Sequence, residues 1–276
     1  MKIAYGIYED VGFRAEMEDE HAIYDNEGRS LFSAEIYDGH GGLKAARVAA
    51  EMLTPAFIHA VNMEMKKPAG ERRAQADLLR EAYLEVDAYI VKQGLEAGTC
   101  AVQLYIVRDR FIAANAGDSR AVIGTADGVL VLTRDHKPDD APELTRIESL
   151  GGTVAYFGVP RVQGILAISR ALGDACLKPY VSPEPRICEG VLGKENDRAV
   201  LACDGIWDVL TPDAVITEAR NHDDPVKAAK NIGKMAMDAG TGDNITVIVL
   251  NLRDYTAGLR RKKMKITRIY DRLSEM

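Results

Sequence analysis

The sequence predicts an α+β protein in which antiparallel strands are covered by helices, and three observations lead there. Short segments rich in β-branched and aromatic residues, bounded by Gly, Asn or Asp, lie at both ends of the chain. Two pairs of other segments carry apolar residues at steps of three and four, the period of a helix with one buried face. Consecutive strand-like segments are joined by tight-turn chemistry, which makes neighbours antiparallel.

Taken in order, Ile3 to Glu9, His21 to Tyr24 and Leu31 to Tyr37 read as strands. After Gly42 the period changes. Ala45, Val48, Ala49, Met52, Leu53 and Ala56 outline one amphipathic helix, and Ala76, Leu79, Ala82, Tyr83, Val86 and Ile90 outline a second. Lys66-Lys67-Pro68-Ala69-Gly70 breaks between them. Thr99 to Arg108, Arg110 to Ala114, Ala121 to Gly124 and Val129 to Thr133 return to strand character, turning at Arg108-Asp109-Arg110 and Ala126-Asp127-Gly128. Pro142 with Leu144, Ile147 and Leu150, closed by Gly151-Gly152, is a short helix with Pro at its start and Gly at its end. Thr211-Pro212-Asp213 opens another helix, Asp224-Pro225 opens one ending at Gly240-Thr241-Gly242, and Ile245 to Leu250 is the last strand. Residues 1–252 are expected to form one domain. Residues 253–276 carry eight basic and three acidic residues, including Arg260-Arg261-Lys262-Lys263, and are expected to be a basic tail, helical or disordered.

Composition limits the function classes. Apolar content of 47% with 28% charge over 276 residues is that of a globular protein and excludes a fibrous or disordered chain. No run of about eighteen apolar residues is present, so no membrane span or membrane partner is expected. The opening Met1-Lys2-Ile3-Ala4-Tyr5-Gly6 lacks the apolar core of a secretory signal, and a monomer in the cytoplasm or nucleus is the expectation. A net charge of −7 weighs against nucleic acid as a partner. Cys100, Cys176, Cys188 and Cys203 form no C-x-x-C unit and are expected to be buried reduced thiols.

Five short acidic signatures carry the chemistry: Arg14-Ala15-Glu16-Met17-Glu18-Asp19, Asp38-Gly39-His40-Gly41-Gly42, Gly117-Asp118-Ser119-Arg120, Asp204-Gly205 and Asp243-Asn244. Asp38 and Asp204 each follow an apolar run and precede a glycine, so each carboxylate lies where a buried strand meets a tight turn; Asp118 follows Phe111-Ile112-Ala113-Ala114 a little later. Carboxylates gathered at one sheet rim repel one another unless cations lie among them. Oxygen donors without an H-x-x-x-H pair or paired thiols suit Mg²⁺ or Mn²⁺ rather than zinc. A cysteine-dependent phosphatase needs Arg six positions after its Cys, and those positions hold Ile106, Ser182, Lys194 and Val209. No G-x-x-x-x-G-K-[ST] or G-x-S-x-G is present either.

Together with Gly98-Thr99-Cys100-Ala101, the run Leu166 to Asp174, Asp204-Gly205-Ile206-Trp207-Asp208 and Asp243-Asn244-Ile245-Thr246, these signatures resemble in kind and order the metal-dependent Ser/Thr protein phosphatases of type 2C, up to about Leu252. The resemblance implies a β-sandwich of two antiparallel sheets flanked by α-helices on both sides, four layers in all. It implies two Mg²⁺ or Mn²⁺ ions and a more weakly held third. Asp38 would bridge both ions, Asp204 and Asp243 would hold the first, and Glu18 with the Gly39 carbonyl would serve the second. Asp118 with Asp204 would contribute to the third, and Asp19 and Asn244 would orient waters and carboxylates from behind. Asp174 and Asp208 are expected to be structural.

The implied reaction is hydrolysis of phosphoserine and phosphothreonine in proteins. Two cations about 4 Å apart lower the pKa of a bridging water, so a hydroxide attacks phosphorus in line and no covalent phosphoenzyme forms. Arg14 would grip two phosphate oxygens with its planar fork, and His40 would protonate the departing seryl or threonyl oxygen. The segment between Asp174 and Pro183 is short, resembling the shorter-flap form of plant members and some others. Phe157 stands where hormone co-receptor members carry tryptophan, so receptor-gated inhibition is not expected. Two rival functions remain: an inert member acting as a binding scaffold, which would have lost a metal carboxylate, and a phosphatase for small phosphoesters.

Overall fold

The computed structural model describes residues 2–26 and 31–259. The basic run at residues 260–263 and the rest of the expected tail lie outside the described residues. The chain opens with β1 (Ala4–Asp10), β2 (Glu20–Asn26), β3 (Leu31–Tyr37) and the two-residue β4 (Gly39–His40). Two long helices follow, α1 (Lys44–Met65) and α2 (Gln75–Lys92). Next come β5 (Gly98–Thr99), β6 (Ala101–Val107), β7 (Arg110–Ala116), β8 (Arg120–Thr125) and β9 (Gly128–Val131). Helix α3 (Ala141–Ser149) leads to a hairpin of β10 (Val154–Phe157) and β11 (Val159–Val162), then to β12 (Leu172–Gly173), β13 (Arg186–Val191) and β14 (Arg198–Ala202). The chain closes with α4 (Asp204–Trp207), α5 (Pro212–Asn221), α6 (Pro225–Asp238), β15 (Ile245–Asn251) and α7 (Arg253–Ala257).

Two five-stranded sheets carry the fold, ordered β1-β15-β14-β8-β9 and β13-β7-β6-β3-β2, with every strand pair antiparallel. Their central strands are buried on both faces and sort their side chains with period two. Phe32, Ala34 and Ile36 of β3, Val102, Leu104 and Ile106 of β6, and Leu201, Ile248 and Leu250 from the opposite sheet fill the space between the sheets. On the outer face, Ala101 and Tyr105 meet Leu53, Phe57, Leu79 and Tyr83 of α1 and α2. On the other outer face, Val200, Val247 and Val249 meet Val215, Ile216, Ala229 and Ile232 of α5 and α6. The result is the four-layer sandwich the resemblance implies.

Helix α1 runs through Pro55 to Met65 and ends at the expected Lys66-Lys67-Pro68 break, because Phe57 continues its buried stripe beyond the lost backbone hydrogen bond at Pro55. Other elements differ from the periodicity reading. Strand β13 and the β10–β11 hairpin carry no clear alternation in sequence and are recognised only by their partners. Cys100 and Cys203 are buried and Cys188 half-buried, but Cys176 is exposed, contrary to expectation. The reason is local: the 3-10 turn Ala175–Leu177 directs Leu177 inward instead. Beyond residue 252, Tyr255 and Thr256 of α7 are buried, and Tyr255 Oη donates to the Arg108 carbonyl at 2.5 Å. Among the described residues no helix is long and apolar enough to cross a membrane.

One buried carboxylate fixes the helical layer to its sheet. Glu35, fully buried on β3, accepts from Ser33 Oγ and Tyr37 Oη at 2.6 Å each and from Thr54 Oγ1 of α1 at 2.5 Å. Thr54 and Tyr105 share a further bond at 2.7 Å, Gln103 donates to Tyr37 Oη at 3.1 Å, and Tyr83 of α2 donates to Gln103. Burial pushes the Glu35 carboxyl up and the three hydroxyls counter it. Glu35→Ala strands all three donors and opens a void, so it is expected to cost at least about 3 kcal/mol. Urea denaturation with an unchanged m-value is the measurement, and a loss under about 1 kcal/mol would show that the network adds little.

Candidate metal centre

The signature residues converge at one edge of the sandwich because strands of both sheets end there. Asp38 follows β3 directly, and its carbonyl accepts from Cys100 N at 2.8 Å. Asp204 follows β14 and opens α4, while Asp243 and Asn244 precede β15. Two glycines allow these turns to interlock: a Cβ on Gly39 would collide with the Glu18 carbonyl, and one on Gly205 with the Asn244 carbonyl. Asn244 Oδ1 accepts from Glu18 N at 2.9 Å, and its amide donates to the carbonyls of Val11 and Glu16 at 2.9 and 3.0 Å. This single side chain pins the loop that presents Arg14 and Glu18. Thr246 Oγ1 donates to buried Asp19 at 2.7 Å behind it.

Arg14, Glu18, Asp38, Gly39, His40, Asp118, Asp204 and Asp243 all line one cleft of about 550 Å³. Asp19 and Asn244 lie behind its wall, tied to Thr246 and to the Glu18 loop. Arg14 Nη2 donates to Asp243 Oδ2 at 2.6 Å. Asp118 Oδ2 accepts from Lys137 Nζ at 2.5 Å, and its other oxygen from Cys100 Sγ at 3.2 Å. One oxygen each of Asp38 and Asp118 and the Cys100 sulfur lie within 4.8 Å of one another.

Electrostatics show what the cleft lacks. Burial, then the carboxylates of Asp204, Asp19, Asp118 and Asp243, push Asp38 well above the ordinary carboxylate range. Asp204 is pushed well up by burial and by Asp118, Asp243 and Asp208, with Lys137 opposing. Asp19 is raised to about 6, chiefly by burial. The Cys100 thiol is also held well up, first by burial and then by Asp118 and Asp38, so it serves as a hydrogen-bond donor to Asp118 and not as a thiolate ligand. Convergent oxygen donors short of positive charge fit a hard divalent cation, and the donor set is that of Mg²⁺ or Mn²⁺.

Three further residues stand at the site. Asp208, expected to be structural, lines the cleft. It lies four residues after Asp204 across the single turn of α4, the spacing that puts both carboxylates on one side. Asp174, also expected to be structural, places both carboxylate oxygens 2.9 Å from His40 Nε2. Lys137 had no role in the sequence reading; its Asp135-His136-Lys137 run was the available signal. Val159, Pro160 and Arg161 form one wall of the cleft, and Phe157 of the same hairpin is 68% exposed.

A profile described as "Protein phosphatase 2C" matches residues 3–245. The chain belongs to the protein phosphatase 2C family. By that membership it is a protein serine/threonine phosphatase, and the family depends on Mg²⁺ or Mn²⁺. "Probable protein phosphatase 2C 59" of Arabidopsis thaliana is 35% identical over 263 residues, covering 93% of this chain and 82% of that protein. "Probable protein phosphatase 2C 45" of Oryza sativa subsp. japonica is 36% identical over 254 residues, covering 90% and 87%. Among solved structures, a sex-determining protein of C. elegans superposes with a TM-score of 0.82 at 28% identity, over 92% of this chain and 65% of that one.

The raised carboxyls make metal-linked stability depend on pH. Asp19 in the folded, metal-free phosphatase lies at about 6 against an ordinary 3.8. Its contribution is therefore present below pH of about 4 and lost as pH rises through about 6. A divalent cation in the cleft would favour the ionised carboxylates and offset part of this penalty. The gain in Tm on replacing EDTA by Mn²⁺ is expected to grow from pH 5 to pH 7, read by differential scanning fluorimetry. A gain that is flat across this range would contradict the assignment of the acidic cluster as the binding site.

Proposed function

We propose that this phosphatase hydrolyses phosphoserine and phosphothreonine in proteins at a binuclear Mg²⁺/Mn²⁺ centre, with direct attack of water on phosphorus. The observation that carries the reading is the convergence of Asp38, Asp204, Asp243 and Glu18 with Arg14 in one cleft. Asp38 would serve both ions, Asp204 and Asp243 one of them, and Glu18 with the Gly39 carbonyl the other. Asp118, with Asp204 and with Asp208 on the same wall, would contribute to a weaker third. When bound, the cations supply a water of lowered pKa and offset the charge on the phosphate oxygens.

The remaining steps fall to the chain's own side chains. Arg14, half exposed beside Asp243, presents a planar fork to two phosphate oxygens, which orients phosphorus toward the carboxylate cluster. His40 faces the same cleft and donates its proton to the seryl or threonyl oxygen as the P–O bond breaks. The exposed Tyr156 and Phe157 next to the opening favour a polypeptide over a small ester as the substrate. All the metal carboxylates are present, which argues against an inert scaffold.

Phosphate release from a phosphothreonine peptide is expected with Mn²⁺ and none after exhaustive EDTA treatment; activity that survives chelation would refute the metal centre. Asp38→Ala and Asp243→Ala are each expected to abolish turnover while circular dichroism stays unchanged. For His40→Ala, hydrolysis of a phosphoserine peptide should slow by about 10² to 10⁴. p-Nitrophenyl phosphate, whose phenolate leaves without help, should slow far less. Equal slowing of both substrates would mean that His40 positions another group instead of donating the proton.

A further inference from the structure

We infer that Asp174 is the positioning residue of His40, holding Nε2 so that Nδ1 is the nitrogen that serves the leaving oxygen. The inference rests on the phosphatase reading above and adds the atom and the partner. The small sheet β12-β5-β4 builds the pair: Gly98 of β5 lies opposite His40 of β4 on one side and Gly173 of β12 on the other. Asp174 follows Gly173 directly, so one residue separates the two side chains across the sheet. That residue must be glycine, because a Cβ on Gly98 would collide with the Asp174 carboxylate and with His40 Nε2.

Asp174 itself is strained into place. Its backbone is left-handed, φ 50° and ψ 50°, a conformation that costs energy for any residue but Gly and is taken most often by Asn and Asp among the rest. Its N–H donates to the Ala97 carbonyl at 3.3 Å, and the neighbouring Gly173 N–H donates to buried Asp87 of α2 at 2.8 Å. The carboxylate is 4% exposed and has both oxygens 2.9 Å from Nε2. A carboxylate only accepts, so Nε2 carries a hydrogen that points into the protein, away from any substrate. A strained, buried acceptor whose side-chain bonds go to one ring nitrogen orients that ring, as second partners of reactive histidines do. In the reaction the P–O bond to the seryl oxygen breaks, its electron pair takes the proton from Nδ1, and Nε2–H stays on Asp174. The ring regains a proton from solvent once the products leave.

The test is a double-mutant cycle with Mn²⁺ on two substrates, using Asp174→Asn, His40→Ala and both together. Asparagine tolerates the left-handed backbone and keeps the shape beside Gly98, but it can offer Nε2 an amide instead of a carboxylate. Asp174→Asn is expected to lower kcat on a phosphoserine peptide at least about tenfold more than on p-nitrophenyl phosphate, with peptide KM within about twofold. The double variant should be no slower than His40→Ala alone. Mn²⁺ binding by calorimetry should be unchanged, and ¹⁵N spectra should show His40 with Nε2 protonated in the wild type and altered in Asp174→Asn. Multiplying losses in the double variant, equal slowing of both substrates, or a His40 ring insensitive to Asp174→Asn would overturn the inference. A wild type without Mn²⁺-dependent hydrolysis would instead overturn the phosphatase reading, and the ring spectra tell the two failures apart because they need no turnover.

Discussion

Mutual repulsion among carboxylates brought to one rim is the constraint on which the rest of this structure depends. Asp38, Asp118, Asp204 and Asp243 come from the ends of strands in both sheets and share one cleft with two basic side chains placed on them, Arg14 and Lys137. In water these groups would move apart. Here the backbone holds them: each follows or precedes a strand that is itself buried on both faces, and no rotamer change carries a strand end away from its sheet. The energy of packing between the sheets is therefore what keeps the like charges together, and the divalent cations on which the family depends would relieve them.

The wall behind the cleft works by close approach instead of charge. Gly39 against the Glu18 carbonyl and Gly205 against that of Asn244 let turns from distant parts of the chain touch backbone to backbone. Asn244 then satisfies three backbone groups of the opening loop with one amide. Elsewhere a buried cation follows the same logic: Arg198, fully buried, donates to the carbonyls of Ala219 and His222 where α5 ends, so its charge faces the negative end of a helix. In each case a polar group is admitted to the interior only with its partners fixed.

Much of this was legible in the sequence where local pattern and tertiary role coincide. Leu31 to Tyr37 was bounded correctly because its apolar run ends at Asp38, and the Asp-Gly pairs marked strand ends because the turn chemistry is local. What escaped the sequence depends on through-space partners. Arg186 to Val191 mixes Arg, Cys, Glu and Gly, and becomes a strand only because β7 offers it an edge. Asp174 and Asp208 look like ordinary polar residues until the sheet brings one to His40 and a helical turn brings the other beside Asp204.

The hydroxyl-lined Glu35 has a consequence for how such a protein can be recombined. Its network is spread over β3, α1, β6 and α2, and each bond in it joins one specific donor to one specific acceptor. The helical layer is therefore keyed to its own sheet, unlike a greasy interface that accepts any complementary surface. A chimera that borrowed α1 and α2 from a relative with apolar residues at positions 54 and 83 would leave Glu35 and Gln103 each short of a donor inside a dry core. Domain shuffling in this architecture has to carry the lock and the key together.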